Sequence, residues 1–178
     1  PIVDPRGEVA AFCDSTDNWL LLVCTLNLTL VTEHVRKLFG WDYARLEEEI
    51  RLVPAGCDGL LLLPYLTGER TPDLPNGTGV FHGLNLANFT PAHMARAAYA
   101  GVTLGLSYGL ARFRQLGMNP SEIRLTGGGS NSRLWRKMCA DIFGVPTVCL
   151  QSGEGAGLGG AVQAGWVWNK EHGSDATL

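Results

Sequence analysis

Residues 122 to 166, "EIRLTGGGSNSRLWRKMCADIFGVPTVCLQSGEGAGLGGAVQAGW", switch twice from a short aliphatic run to a helical period. The pattern predicts a strand from Glu122 to Thr126, a helix from about Ser132 to Phe143, a strand over 145–150 and a helix over about 156–168. Strands that are nearly continuous in apolar residues and are joined by a helix pair in parallel, with helices on the sheet faces. The chain is therefore expected to be α/β. The first switch is broken by three consecutive glycines, Gly127 to Gly129. Lacking Cβ atoms, they let the backbone turn sharply and let a flat or bulky group come close.

Upstream, "GEVAAFC" and "WLLLVCTL" flank the polar "DSTDN" and read as an antiparallel hairpin, entered by a turn at Pro5-Arg6-Gly7. Thr29 or Thr32 is expected to cap a helix through "VTEHVRKLFG", and "DYARLEEEIRLV" to form a surface helix with Tyr43, Leu46 and Ile50 facing inward. A four-leucine strand follows, and then some twenty residues dense in Gly, Pro, Asn and Thr, a length of irregular chain that is usually functional. Thr90 and Pro91 make a cap and first residue for a long helix that stops at Gly117. Its small residues Ala97, Ala98, Gly101 and Gly105 predict a close neighbour, since a glycine inside a helix costs about 1 kcal/mol.

With 178 residues the chain suits one domain. A net charge of −3 gives no bulk attraction to nucleic acid or to anionic lipid, and the longest apolar runs are too short to span a membrane. The five cysteines, at 13, 24, 57, 139 and 149, show neither a CxxC nor a Cys/His cluster, so buried free thiols in a reducing compartment are expected and zinc is not. The chain opens on Pro1 rather than Met and enters a strand almost at once, which reads as a piece of a longer protein.

In an open α/β sheet a ligand sits beyond the carboxyl ends of the strands. Gly127 to Ser130 lie at that edge, ahead of a helix N-terminus that favours an anion or a carbonyl-rich ring, and Asn131 and Ser132 add donors and acceptors. The other reading is a simple turn with a helix cap. A second cluster, "SGEGAGLGGAVQAGW", places Gly155, Gly157 and Gly160 as GxGxxG, but no strand follows and there is no P-loop GK[ST]. These glycines are read as close packing for the last helix, with Glu154 able to meet a ligand hydroxyl or that helix's N–H groups. The loop carboxylates Asp14, Asp17, Asp58, Glu69 and Asp73 have no spacing that brings two together. Nor do His34, His82, His93 and His172 form a pattern; only His82 falls in the irregular loop, and the others read as surface residues. In "GERTP", Glu69 is expected to pair with Arg70 and stiffen the loop, and Arg70 to reach a phosphate.

Taken in order, "AFCDSTDNWLLLVCTLNLT", "LPYLTGERTPDLPNGTGVFHGL", the long helix, "LTGGGSNSRLWRKMCADIFGVPTV" and "GEGAGLGGAVQAGW" resemble the C-terminal domain of the FGGY family of carbohydrate kinases over nearly the whole chain. The resemblance implies an actin-like ATPase domain of the ribonuclease H-like kind, a mixed sheet with helices on both faces, its first strand lying ahead of Pro1. It implies that residues 1–178 are the single nucleotide-binding domain of a larger, two-domain cytoplasmic enzyme. That enzyme would phosphorylate a ketopentose, D-xylulose, at its primary hydroxyl, using ATP and Mg2+. The triple glycine would be the adenosine motif, with Gly127, Gly128, Gly129 and Ser130 under the nucleotide and Asn131, Ser132 and Arg133 beside base or ribose; Glu154 and Arg70 complete the candidate contacts. The general-base aspartate and the sugar-binding domain would lie upstream, so no catalytic or metal residue is assigned within the chain, and the chain alone would be inactive. The sugar, bound by the absent domain, and a second copy in a homodimer are the implied partners. A kinase for another sugar or polyol, and a non-catalytic actin-like nucleotide module, remain as alternatives.

Overall fold

The computed structural model describes residues 2–14, 16–150 and 155–173. Strands β1 (Ala10–Cys13) and β2 (Trp19–Leu22) form the expected antiparallel hairpin. Asp14 builds its turn by accepting from the backbone N–H of Thr16 and Asn18. Helices α1 (Thr29–Leu38) and α2 (Tyr43–Leu52) follow. Neither threonine caps α1: Leu28 holds the cap position with no side-chain bond, and the Thr32 hydroxyl donates to the Thr29 carbonyl one turn back. Asp42 caps α2 by accepting from Arg45 N. Leu46 and Ile50 are buried as expected, whereas Tyr43, in the first turn, is 62% exposed, with the Arg36 guanidinium 4.4 Å over its ring.

Strand β3 (Leu61–Pro64) is the four-leucine run, and the stretch read as irregular contains its antiparallel partner β4 (Gly79–His82), Leu61 lying opposite His82. Four residues flanked by glycine carry too little pattern to announce a strand; the exposed edge of β3 supplies the pairing. Helix α3 (Pro91–Gln115) opens on the Thr90 cap and the Pro91 start. Ala97 and Ala98 are fully buried, and at Gly101 a Cβ would overlap the Leu62 carbonyl oxygen. Gly105, by contrast, faces open space, and the other close approach is at Gly109, against Val23.

Strand β5 (Ile123–Leu125), helix α4 (Arg133–Phe143), strand β6 (Thr147–Cys149) and helix α5 (Gly155–Glu171) complete the chain, with β5 and β6 parallel in the register Ile123 to Thr147. Among the described residues the strands pair as three two-stranded ladders, β1 with β2, β3 with β4 and β5 with β6, two antiparallel and one parallel, rather than as one continuous sheet. The core gathers around α3, with Val31, Ile50, Leu62, Val102, Trp135 and Phe143 among its members. Of the five thiols, Cys57 and Cys139 are buried and Cys13 is exposed at the hairpin end. Burial pushes the Cys139 thiol up to about 11. Among the described residues no helix is long and apolar enough to cross a membrane.

Candidate functional site

At the end of β5 the chain turns through Gly127, whose φ of +82° and extended ψ suit glycine, into a single 3-10 turn, Gly128–Asn131. The turn is closed by Ser130, whose N–H and hydroxyl both donate to the Gly127 carbonyl, at 3.0 and 2.7 Å. Gly129 is glycine for a reason inside the protein: a Cβ there would stand 2.6 Å from the Trp135 ring. Gly128 would meet nothing within 4 Å. The positive φ thus falls on Gly127 and the close approach on Gly129, while Gly128, which lines the adjoining cleft, has neither constraint and open space before it.

That space is a cleft of about 570 Å3 between the glycine turn and the first three helices. Gly128, Gly129, Asn131 and Ser132 form one wall, α1 and α2 supply Thr29, Thr32, Glu33, Tyr43 and Glu47, and Leu46, Ile50, Tyr99 and Trp135 add apolar and aromatic surface. Tyr99 packs edge-on against Trp135, ring centroids 4.8 Å apart, and Trp135 Nε1 donates to Thr103 Oγ1 at 2.8 Å, which fixes the indole behind Gly129. Burial pushes the Tyr99 phenol up to about 12, against a hydrogen bond with Thr32 that works the other way.

The N-terminus of α4 is not free to take an anion. Ser132 caps it by accepting from Trp135 N at 3.1 Å, and Glu47 reaches over from α2 so that its Oε1 accepts from Ser132 Oγ and from Leu134 N, each at 3.1 Å. A carboxylate of the protein already answers the dipole there. Glu33, the other acid of the cleft, is bound by Arg36 at 2.9 Å, a bond that holds its carboxyl below the usual range. Among the described residues the cleft is lined by two carboxylates and by no Lys, Arg or His.

The remaining candidates separate from this group. Arg133 is exposed and does not line the cleft, and Glu154 lies outside the described residues. Glu69 does not pair with the Arg70 guanidinium. It is 4% exposed and binds the segment leading into α1, accepting from Leu26 N at 2.6 Å, Asn27 Nδ2 at 3.0 Å and the backbone N–H of Arg70 at 2.8 Å. Burial works to raise its carboxyl, but these donors outweigh it and hold the group below its ordinary value. Arg70 is exposed and its guanidinium has no hydrogen bond or ion pair among the described residues. His93, expected at the surface, is mostly buried between Asp58 Oδ2 at 3.0 Å and Thr90 Oγ1 at 2.7 Å. The sequence reading missed the α1 and α2 contributions; the signal open to it was an exposed aromatic, Tyr43, at the start of a helix otherwise rich in acids.

The pattern that defines the C-terminal domain of the FGGY family of carbohydrate kinases matches residues 14–168. A xylulose kinase of Haemophilus influenzae is 42% identical over 167 residues, covering 94% of this chain and 34% of that protein. A gluconokinase of Bacillus licheniformis is 32% identical, covering 91% of this chain and 34% of its own length. The crystal structure of xylulose kinase from Bifidobacterium adolescentis superimposes with a TM-score of 0.83 at 35% identity, over 96% of this chain and 34% of that one. The chain spans about a third of the length of the curated relatives it matches.

Proposed function

We propose, for a chain that belongs to the FGGY family of carbohydrate kinases, that it is the C-terminal nucleotide-binding domain of a two-domain cytoplasmic enzyme transferring the γ-phosphoryl group of ATP to D-xylulose. The observation that carries this reading is the cleft facing the glycine turn: aromatic and aliphatic surface for a flat base, Asn131 with an amide that is uncommitted among the described residues, and open space in front of Gly128. In this reading Gly128, Gly129, Asn131 and Ser132 touch the nucleoside, and Gly127 and Ser130 hold the turn. Arg133 is assigned to the base or ribose and Glu154 to a ligand hydroxyl.

Two acids and no cation suit the nucleoside end of ATP, not the triphosphate, which extends toward groups supplied by the rest of the enzyme. Among the described residues no three His, Cys, Asp or Glu side chains stand together as metal ligands, so Mg2+ enters only as the companion of the phosphates and no residue is assigned to it. The nucleotide, once bound, supplies the phosphoryl group; this chain's residues orient the base and ribose and exclude water from them. Sugar recognition, and a second copy in a homodimer, belong to surfaces of the larger enzyme. The match to the xylulose kinases over most of the chain favours xylulose over gluconate as its substrate.

The test is an NMR titration of this chain with ATP and Mg2+, beside a coupled assay for ADP. Shifts at residues 128–132, 29–33 and 43–47, with a Kd near millimolar, equivalent to about 4 kcal/mol, are expected, and no xylulose-dependent ADP until the chain is joined to an upstream sugar domain. Saturating nucleotide without localised shifts would leave the glycines as a turn. Xylulose-dependent ADP from the chain alone would place the catalytic base within it.

A further inference from the structure

The cleft is lined by a carboxylate, Glu47, with only one of its oxygens satisfied among the described residues. Glu47 Oε1 is committed twice, to Ser132 Oγ and to Leu134 N, so the carboxylate is pinned across the gap between α2 and α4. Its second oxygen has no hydrogen bond among the described residues, and the side chain meets no cation, in contrast to Glu33, which Arg36 neutralises. A ligand that fills the cleft strips water from that oxygen. Unless the ligand returns a donor, the loss counts against binding, and a phosphate returns only more negative charge.

We infer that Glu47 is the specificity residue of the cleft: its free oxygen accepts a hydrogen bond from a neutral donor of the nucleoside, either a ribose hydroxyl or an exocyclic amino group of the base. The inference rests on the nucleotide reading above and adds to it which side chain reads the ligand and which kind of group is read. Ser132 and Leu134 serve as positioning groups. They hold Oε1 so that Oε2 is presented to the cleft without a search over rotamers, which is how a preorganised acceptor gains selectivity.

The experiment titrates this chain with ATP, 2′-deoxy-ATP, 3′-deoxy-ATP and the triphosphate of purine riboside, which lacks the 6-amino group, and repeats the series with Glu47→Gln. The amide oxygen of the variant preserves both bonds at the α4 N-terminus, while its NH2 turns the free acceptor into a donor. In the wild type, deletion of the donor that Glu47 reads is expected to weaken binding by roughly tenfold to a hundredfold, and the other deletions by less than about threefold. Glu47→Gln is expected to bind ATP correspondingly weakly and to lose the distinction between ATP and that one analogue. Sensitivity to a deoxyribose identifies a hydroxyl as the donor, and sensitivity to purine riboside identifies the amino group. In the latter case Glu47→Gln should bind inosine triphosphate, which presents an acceptor at that position, better than the wild type does.

The wild-type analogue series needs no variant, so it decides even if Glu47→Gln does not fold. ATP binding at residues 128–132 with no analogue weakened, or with the same analogue preferences retained in folded Glu47→Gln, overturns this inference and leaves the nucleotide site standing. Failure of every nucleotide to bind the wild type overturns both.

Discussion

The three adjacent glycines do different work, and substitution separates them. Gly129→Ala drives a methyl into the Trp135 ring, which is 6% exposed and held between Tyr99 and Thr103; we expect a loss of about 1–3 kcal/mol in urea unfolding. Gly128→Ala meets nothing, so stability should stay within about 0.5 kcal/mol, while the methyl enters the cleft and ATP binding in the NMR titration weakens. Unchanged ATP binding in Gly128→Ala would remove that residue from the nucleotide surface. A similar contrast holds for Glu69 and its neighbour. Glu69→Gln replaces a buried acceptor of several N–H groups and should cost about 2 kcal/mol at pH 7. The folded carboxyl is held below its unfolded value, so its contribution is present above roughly pH 4.3 and is lost as pH falls through the folded value. The gap between wild type and Glu69→Gln in urea melts should therefore close on acidification. Arg70→Ala should leave the melting temperature unchanged and, in the two-domain enzyme, lower turnover; equal turnover would take Arg70 out of the site. The glycine run and the Ser132 cap are readable from sequence, because each rests on local backbone demands. That Glu69 turns to Leu26 and Asn27 rather than to Arg70 is not readable, since those partners are more than forty residues away.

Among the helices, α3 sets the architecture, because it touches β3 on one side and α1, α2 and α4 on others. Its glycines test where contact is required. Gly101→Ala would force α3 off the Leu62 carbonyl and should cost about 2–4 kcal/mol, whereas Gly105→Ala faces open space and should gain about 0.5–1 kcal/mol from helix propensity. Thermal melts of the two single variants decide; a destabilised Gly105→Ala would mean that a partner covers that position. Sequence placed both glycines on one packing stripe, since their spacing of four residues puts them on the same helix face. Only one lies over β3, because a helix crosses a short strand at one point and then leaves it. The same limit explains β4: β3 is readable from four aliphatic residues, but "GVFH" becomes a strand only beside it. It also explains α1, whose cap position falls to Leu28 because Glu69 fixes the two residues before it.

Taken whole, the molecule is unevenly consolidated. The core around α3 is dense, while α5 has no buried residue among those described and leaves Leu158, Val162, Val167 and Trp168 between 41% and 60% exposed. On the hairpin, Phe12 lies opposite Leu20 and Ala10 opposite Leu22, so one face presents Phe12, Leu20 and Leu22, all more than 40% exposed. Native-state hydrogen exchange should therefore show the slowest amides in the middle of α3 and much faster exchange throughout α5; equal protection in the two helices would show that α5 is covered in solution. The amino-acid sequence by itself fixed the order and type of the main elements, the parallel pairing of β5 with β6, the cap of α3 and the family. The elements, the pairing and the cap follow from periodicities and backbone preferences that act within a few residues, and the family from the resemblance of the ordered motifs. Folding in three dimensions fixed the pairing of the described strands into three ladders, the carboxylate of α2 at the start of α4, and the cleft to which α1, α2 and the glycine turn each contribute a wall. Those features depend on which side chain reaches a vacant donor or an open edge first across a long loop of chain, and no local pattern records that outcome.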